Sequence, residues 1–256
     1  MLDPNKNQKN KILNHLFSII IDELKFTNPK AIIIYGSYGR NEGAWIKENN
    51  NLVPYNDFDI VVINDSKNKL KEKRNISELL KKKLKVEWID LQFMSTYELK
   101  KLNKKTIFNF DLKFGSKIIY GDKKILDKIP LSSSKNIDIN DLEVLFNTRL
   151  WTFYGSYKSF ENMDSKSSRF FKYQMSKAIL ATVESFLIRN NYYNCSYRNK
   201  VKEYIKLSNN NHEFVKWALN EKLNPSEDII SSTKAIKLLN DTKRIFFQEF
   251  FASLSE

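Results

Sequence analysis

Asp57 and Asp59 stand two residues apart in NDFDIVV, a spacing at which two carboxylates can do metal chemistry. Alternate side chains of an extended chain leave the same face, so both carboxylates emerge together while Phe58 and Ile60 turn into the core. Two such charges repel, and each would rather take up a proton unless a cation neutralises the pair. Paired hard oxygen ligands suit Mg2+, which also keeps waters and accepts substrate phosphate oxygens. Upstream, Gly36-Ser37 closes the run AIIIYGS. A glycine there lets backbone N–H groups and the serine hydroxyl approach a phosphate closely. Arg40, in the same loop, could hold a phosphate or an acceptor molecule, or be an ordinary surface arginine. Asp90, in VEWIDLQF, supplies a third carboxylate that can complete a metal site and accept the proton of an attacking hydroxyl. Glu87 stands close by and would compete for that role in a different strand register.

The elements that must position these residues are short. AIIIY and FDIVVI are β-branched runs stopped by Gly36 and by Asn64-Asp65, so both read as buried strands. VEWIDLQFM reads as a third strand, with Trp88, Asp90 and Gln92 on one side and Ile89, Leu91 and Phe93 on the other. KIIYGD reads as a last strand and turn. Leu13, Leu16, Phe17, Ile20 and Leu24 recur at helical spacing, which predicts a helix over about 8–26 ended by Asn28-Pro29. Ile76, Leu79, Leu80 and Leu84 predict a second over 69–84, its lysines forming a solvated face. Ser95 and Glu98 have capping-box spacing for a short helix. Three of the six glycines fall between 36 and 43, where the chain must need unusual backbone freedom.

Beyond about 125 the strand signals cease, and Ser132-Ser133-Ser134 reads as a linker. The rest of the chain reads as helical, most clearly over 168–190, in HEFVKWALNEKL and in TKAIKLLNDTKRIFFQEFFASL. The expected fold is therefore α+β, with a small mixed-sheet domain over 1–125 and a helical domain over 126–256. The tetrapeptide YGSY of the first loop recurs at 154–157, but there it follows LWTF in a helical region with no D-x-D after it. The second copy is expected to carry no chemistry.

GSYGR, NDFDIVV and IDLQF together, over about residues 30–95, resemble the DNA polymerase β-type nucleotidyltransferase superfamily. Two-domain members of kanamycin-nucleotidyltransferase or minimal-nucleotidyltransferase type are similar in placing helices after the catalytic domain. The resemblance implies Mg2+-dependent transfer of a nucleoside monophosphate from an NTP to a hydroxyl, with release of pyrophosphate. Asp57 and Asp59 would bridge two Mg2+ ions, Asp90 would share one and activate the acceptor, and Gly36 with Ser37 would hold the β- and γ-phosphates. It also implies a cation supplied to the triphosphate by the helical domain, for which Lys177 is the candidate, with Lys172 behind it. The sequence departs from compact members in its long 41–56 connection, which carries Trp45, Asn49-Asn50-Asn51 and Pro54 and could shape or cover the acceptor pocket. The acceptor stays open between a small hydroxylated molecule and a protein side chain.

Composition bounds the rest. Lys and Arg number 43 against 30 Asp and Glu, and the net charge of +13 favours anionic partners. A bias toward Lys, Asn and Ile runs through the whole chain, so charge alone selects none of nucleotide, nucleic acid or acidic lipid. A non-catalytic nucleic-acid-binding protein is the alternative; it predicts steep salt dependence and indifference to loss of Asp57 or Asp59. The single cysteine, Cys195, excludes an internal disulfide and an all-cysteine zinc site, and with only His15 and His212 there is no His/Cys ligand cluster. A reducing cytoplasm is expected. No apolar run approaches the ~20 residues that span a bilayer, and Asp22 and Glu23 interrupt any signal-like core, so no membrane partner is expected.

Overall fold

A computed structural model describes residues 5–49, 51–55, 57–66, 70–132, 137–157 and 164–254. The chain divides into two compact units, residues 1–104 with 108–132 and residues 105–107 with 133–256. The division falls later than the expected 125 because Ile125, Ile129 and Leu131 are buried in the core of the first unit. Ser133 and Ser134 of the expected linker lie outside the described residues. Among the described residues no helix is long and apolar enough to cross a membrane.

The first unit is built on a four-stranded mixed sheet in the order β5-β4-β1-β6. Its strands are β1 (Ala31–Tyr35), β4 (Phe58–Ile63), β5 (Ile89–Met94) and β6 (Lys117–Gly121). β1 runs antiparallel to β4 and β6, and β4 runs parallel to β5. β1 and β4 are central and apolar on both faces, as strands covered on two sides must be. One face carries Ile32, Ile34, Phe58, Ile60, Val62, Ile89 and Leu91 under two helices, α1 (Lys6–Leu24) and α3 (Leu70–Leu84). The other carries Ala31, Ile33, Tyr35, Val61 and Ile63 against Leu99 of α4 (Thr96–Lys100), Leu112 of α5 (Ile107–Phe114) and the 3-10 turn Ile125–Lys128.

Ser95 caps α4 as its spacing predicts, its Oγ accepting from the Glu98 N–H while Glu98 accepts from the Ser95 N–H. In α3, Ile76, Leu80 and Leu84 are buried and Lys82 and Lys83 exposed, but Leu79, expected on the apolar face, is 42% exposed. The 41–56 connection is not a plain loop. It holds a hairpin of β2 (Trp45–Glu48) and β3 (Asn51–Pro54), and Asn49 enters its turn at φ +48°. The one-turn helix α2 (Gly36–Gly39) follows β1, and its Tyr38 stacks on Phe58 at 4.4 Å and donates to the Ala44 carbonyl at 2.8 Å. That side chain ties the hairpin's first residues to the sheet.

The second unit is helical: α6 (Asp141–Tyr157), α7 (Ser165–Arg189), α8 (Tyr197–Leu207), α9 (His212–Leu223) and α10 (Ser232–Leu254). Ile179, Leu180, Val183 and Leu187 of α7 pack with Val201, Tyr204, Val215, Ala218 and Ile245 from α8, α9 and α10. Phe146 and Phe153 of α6 meet Phe246 of α10 edge-on at 5.0 and 5.1 Å. Inside this unit Lys200 donates to Glu184 at 2.6 Å, with side chains only 4% and 9% exposed. Burial opposes the charge of Glu184, but Lys200 outweighs it and holds the carboxyl below its usual range. Removing one partner strips the other of its nearest counter-charge while it stays buried. Lys200→Met should therefore cost about 3–5 kcal/mol in denaturant unfolding, with most of it recovered in Lys200→Met/Glu184→Met.

Candidate active site

The strand register assembles the site. Asp59 lies directly opposite Asp90 across the parallel β4–β5 pair, and opposite Tyr35 across the antiparallel β1–β4 pair. Neighbouring strands stand about 4.8 Å apart, so these three residues form one short row across the sheet. They share a face by alternation, because Ile60 and Leu91 lie on the opposite one. Asp57, two residues before Asp59, and Gln92, two after Asp90, belong to the same alternate set. Glu87 lies before β5 and is exposed, so the register gives the third carboxylate position to Asp90. Trp88 does not join the row. It precedes β5, is 62% exposed, and Lys81 of α3 lies over its ring at 4.9 Å.

Tyr35 reaches across Asp59, and its hydroxyl donates to Asp90 Oδ2 at 2.8 Å. Gln92 Nε2 donates to the same Oδ2 at 3.3 Å and to the Tyr35 hydroxyl oxygen at 3.2 Å. Burial pushes the Tyr35 hydroxyl far above its ordinary pKa, and the charges of Asp59, Asp90 and Asp57 push it further. Sequence reasoning missed Tyr35 and Gln92, although both sit in the quoted motifs. Their alternation with Ile34 and Leu91 was the available signal.

Gly36 follows Tyr35 at φ +63°, a conformation that disfavours any other residue. A Cβ built there would lie 1.9 Å from Asp59 Oδ2, so the glycine is what lets the backbone lie against that carboxylate. Ser37 is buried within α2, and its carbonyl accepts from the Glu42 N–H at 2.8 Å, closing the turn. The second YGSY differs in every respect. It lies in α6, where nothing among the described residues stands within 4 Å of a Cβ at Gly155 and Ser156 donates to the Thr152 carbonyl within its own helix at 2.7 Å.

Arg40, expected at a phosphate, has other partners. Its side chain is 7% exposed, Nη1 donates to Asp111 Oδ2 of α5 at 2.8 Å, and Nε lies 3.8 Å from Glu42 Oε2. Two carboxylates offset the charge of this buried guanidinium, although its Nε makes no hydrogen bond among the described residues, and the bond to Asp111 fastens the Gly-Ser turn to α5. Lys172 is committed in the same way: buried, it donates to Ser226 Oγ and to the Asp228 carbonyl at 2.7 Å. Lys177 is partly exposed, lies over the Tyr173 ring at 5.7 Å, and lines a small cleft with Arg149, Lys222, Tyr197 and Glu184. The Nε of Arg149 is buried there without a hydrogen-bond partner among the described residues. Three cations against one carboxylate make this cleft, within the helical unit, electropositive.

Among the described residues no three His, Cys, Asp or Glu side chains form a ready metal cage. The donor set still suits Mg2+, which binds through one or two carboxylates and completes its shell with water and substrate phosphates. His15 is exposed on α1, His212 Nε2 lies 2.5 Å from the Ser208 carbonyl, and Cys195 is buried, so none joins a site.

No family model matches the chain, and no curated protein matches it. Among solved structures the chain is similar to spectinomycin adenyltransferase AAD(9) from Enterococcus faecialis, solved with ATP and spectinomycin. The two share 13% identity over 93% of this chain and 98% of that one, with a TM-score of 0.49. Residue roles here rest on the geometry of this chain alone.

Proposed function

We propose that the chain is a nucleotidyltransferase that moves a nucleoside monophosphate from an NTP to a hydroxyl and releases pyrophosphate. The observation that carries the reading is the row Tyr35-Asp59-Asp90, with the Gly36 backbone packed against Asp59. Asp57 and Asp59 would hold Mg2+ together with the triphosphate, and the ion would neutralise charge that develops on the phosphates. Gly36 and Ser37 offer a turn on which the β- and γ-phosphates can rest. Asp90 accepts the proton of the acceptor hydroxyl as its oxygen bonds to the α-phosphorus and the bond to pyrophosphate breaks. Lys177, with Arg149 and Lys222, gives the helical unit a cleft whose charge fits phosphate. The acceptor is a small hydroxylated molecule or a protein side chain, and the β2–β3 hairpin would help to select it.

The test needs no acceptor, because nucleotide binding precedes transfer. Thermal unfolding of the full chain with each of the four NTPs, with and without Mg2+, should show stabilisation that requires the metal. A nucleotide at a hundred times its Kd adds about 2.7 kcal/mol. Absence of any shift with all four would overturn the reading and leave salt-dependent nucleic-acid binding as the next thing to measure.

A further inference from the structure

Two side-chain donors set the orientation of Asp90. Both of its hydrogen bonds among the described residues, from the Tyr35 hydroxyl at 2.8 Å and from Gln92 Nε2 at 3.3 Å, fall on Oδ2. Gln92 Nε2 also donates to the Tyr35 oxygen at 3.2 Å. An amide nitrogen can only donate, so the phenol oxygen is the acceptor in that bond and its own proton is left for Asp90. The Tyr35 ring cannot swing away: it is 8% exposed and meets Phe108 of α5 edge-on at 5.6 Å. A phenylalanine would fill the same core space, so the hydroxyl has a purpose that packing does not supply. Placing a phenol among three carboxylates removes it from water, and the bond to Asp90 offsets that cost.

We propose that Tyr35 and Gln92 are positioning residues for Asp90: they turn Oδ2 into the protein and leave Oδ1 to take the proton of the incoming acceptor hydroxyl. The inference rests on the transferase reading and adds to it the means by which one carboxylate of three is held as a base. Neither residue touches the nucleotide in this scheme. Each acts through Asp90, as partners behind a catalytic or metal-binding carboxylate do elsewhere.

Tyr35→Phe, Gln92→Leu and the double replacement test it in the full chain by two independent readouts. The first is the side-chain carboxyl 13C resonance of Asp90 in nucleotide-free protein, identified by its disappearance in Asp90→Asn. It should move in each single variant. In the double variant the two displacements should fall short of their sum, because Gln92 acts partly through the Tyr35 hydroxyl. The second is pyrophosphate release from each of the four NTPs with Mg2+, with water standing in for the acceptor hydroxyl and NMP formed as the other product. There kcat should fall about 10–100-fold in Tyr35→Phe while KM for the nucleotide stays within about twofold. An unmoved Asp90 resonance, an unchanged kcat, or a rise in KM that matches the loss would each overturn the assignment and return Tyr35 to the core as packing alone. If Tyr35→Phe fails to fold, Gln92→Leu, at a partly exposed position, carries both readouts. A wild-type protein that gains no Mg2+-dependent stability with any NTP would instead sink the transferase reading, and the catalytic role of Asp90 with it. The resonance would then decide only whether Tyr35 and Gln92 hold Asp90.

Discussion

Asp57→Asn/Asp59→Asn should abolish Mg2+-dependent stabilisation by nucleotide and lower pyrophosphate release about 10³-fold or more, without lowering the stability of the nucleotide-free protein. The two halves of that result have one cause. Asp59 faces Asp90 across the β4–β5 pair, and the Tyr35 hydroxyl feels the charge of Asp57, Asp59 and Asp90 together. Like charges held this close oppose folding and favour binding of a cation. An amide keeps the size of the carboxylate and removes its charge, so the repulsion disappears along with the attraction for Mg2+. Several kcal/mol of transition-state stabilisation go with the metal, and each 1.36 kcal/mol is tenfold in rate. Thermal unfolding in chelator and in Mg2+ with NTP measures both halves on the same samples. A double mutant that unfolds earlier without nucleotide, yet keeps its nucleotide shift, would mean that these carboxylates stabilise the fold and bind no metal.

Gly36→Ala should cost at least about 10²-fold in activity, and Gly155→Ala, the same change in the second YGSY, should cost nothing. At Gly36 the new Cβ would stand 1.9 Å from Asp59 Oδ2, where ordinary contact begins at 3.4 Å, so the carboxylate or the turn must move by more than 1 Å. Displacement of a catalytic group on that scale is enough for the loss, and the positive φ adds about 1–2 kcal/mol of strain. At Gly155 nothing lies within 4 Å and the backbone is already helical, so alanine should leave stability unchanged or raise it by up to about 1 kcal/mol. Pyrophosphate release and thermal unfolding of the two variants make the comparison. Equal effects at the two glycines would mean that the approach to Asp59 is unimportant.

Much of the site was legible because it depends on local rules. Alternation alone put Asp57, Asp59, Asp90 and Gln92 on the side opposite Phe58, Ile60 and Leu91, and the strand register keeps them there. The capping box at Ser95 and the helix over Leu70–Leu84 were likewise written in residues three and four apart. Two elements were missed. The hairpin β2–β3 has strands of four residues, and its Asn-rich turn reads equally well as loop. In α5, the sequence IFNFDLKF is only 8 residues long, about two turns, too short for its helical period to stand out from an apolar run.

The sequence by itself determined the four strands of the main sheet, their faces, the need for a glycine after the first of them, and the helical character of the second half. Only the tertiary structure decided which charges are spoken for. Tyr35 meets Asp90 across 55 residues and Arg40 meets Asp111 across 71, separations at which no periodicity operates. Arg40 and Lys172 carry the right charge for a phosphate, yet each is buried beside nearer oxygens, and a buried cation must take the partner that packing provides. Lys177 is left partly exposed, lining a cleft with Arg149 and Lys222. A side chain's type sets which bonds it can make, whereas its partner is chosen by strand order and helix packing, which join residues that the chain keeps far apart.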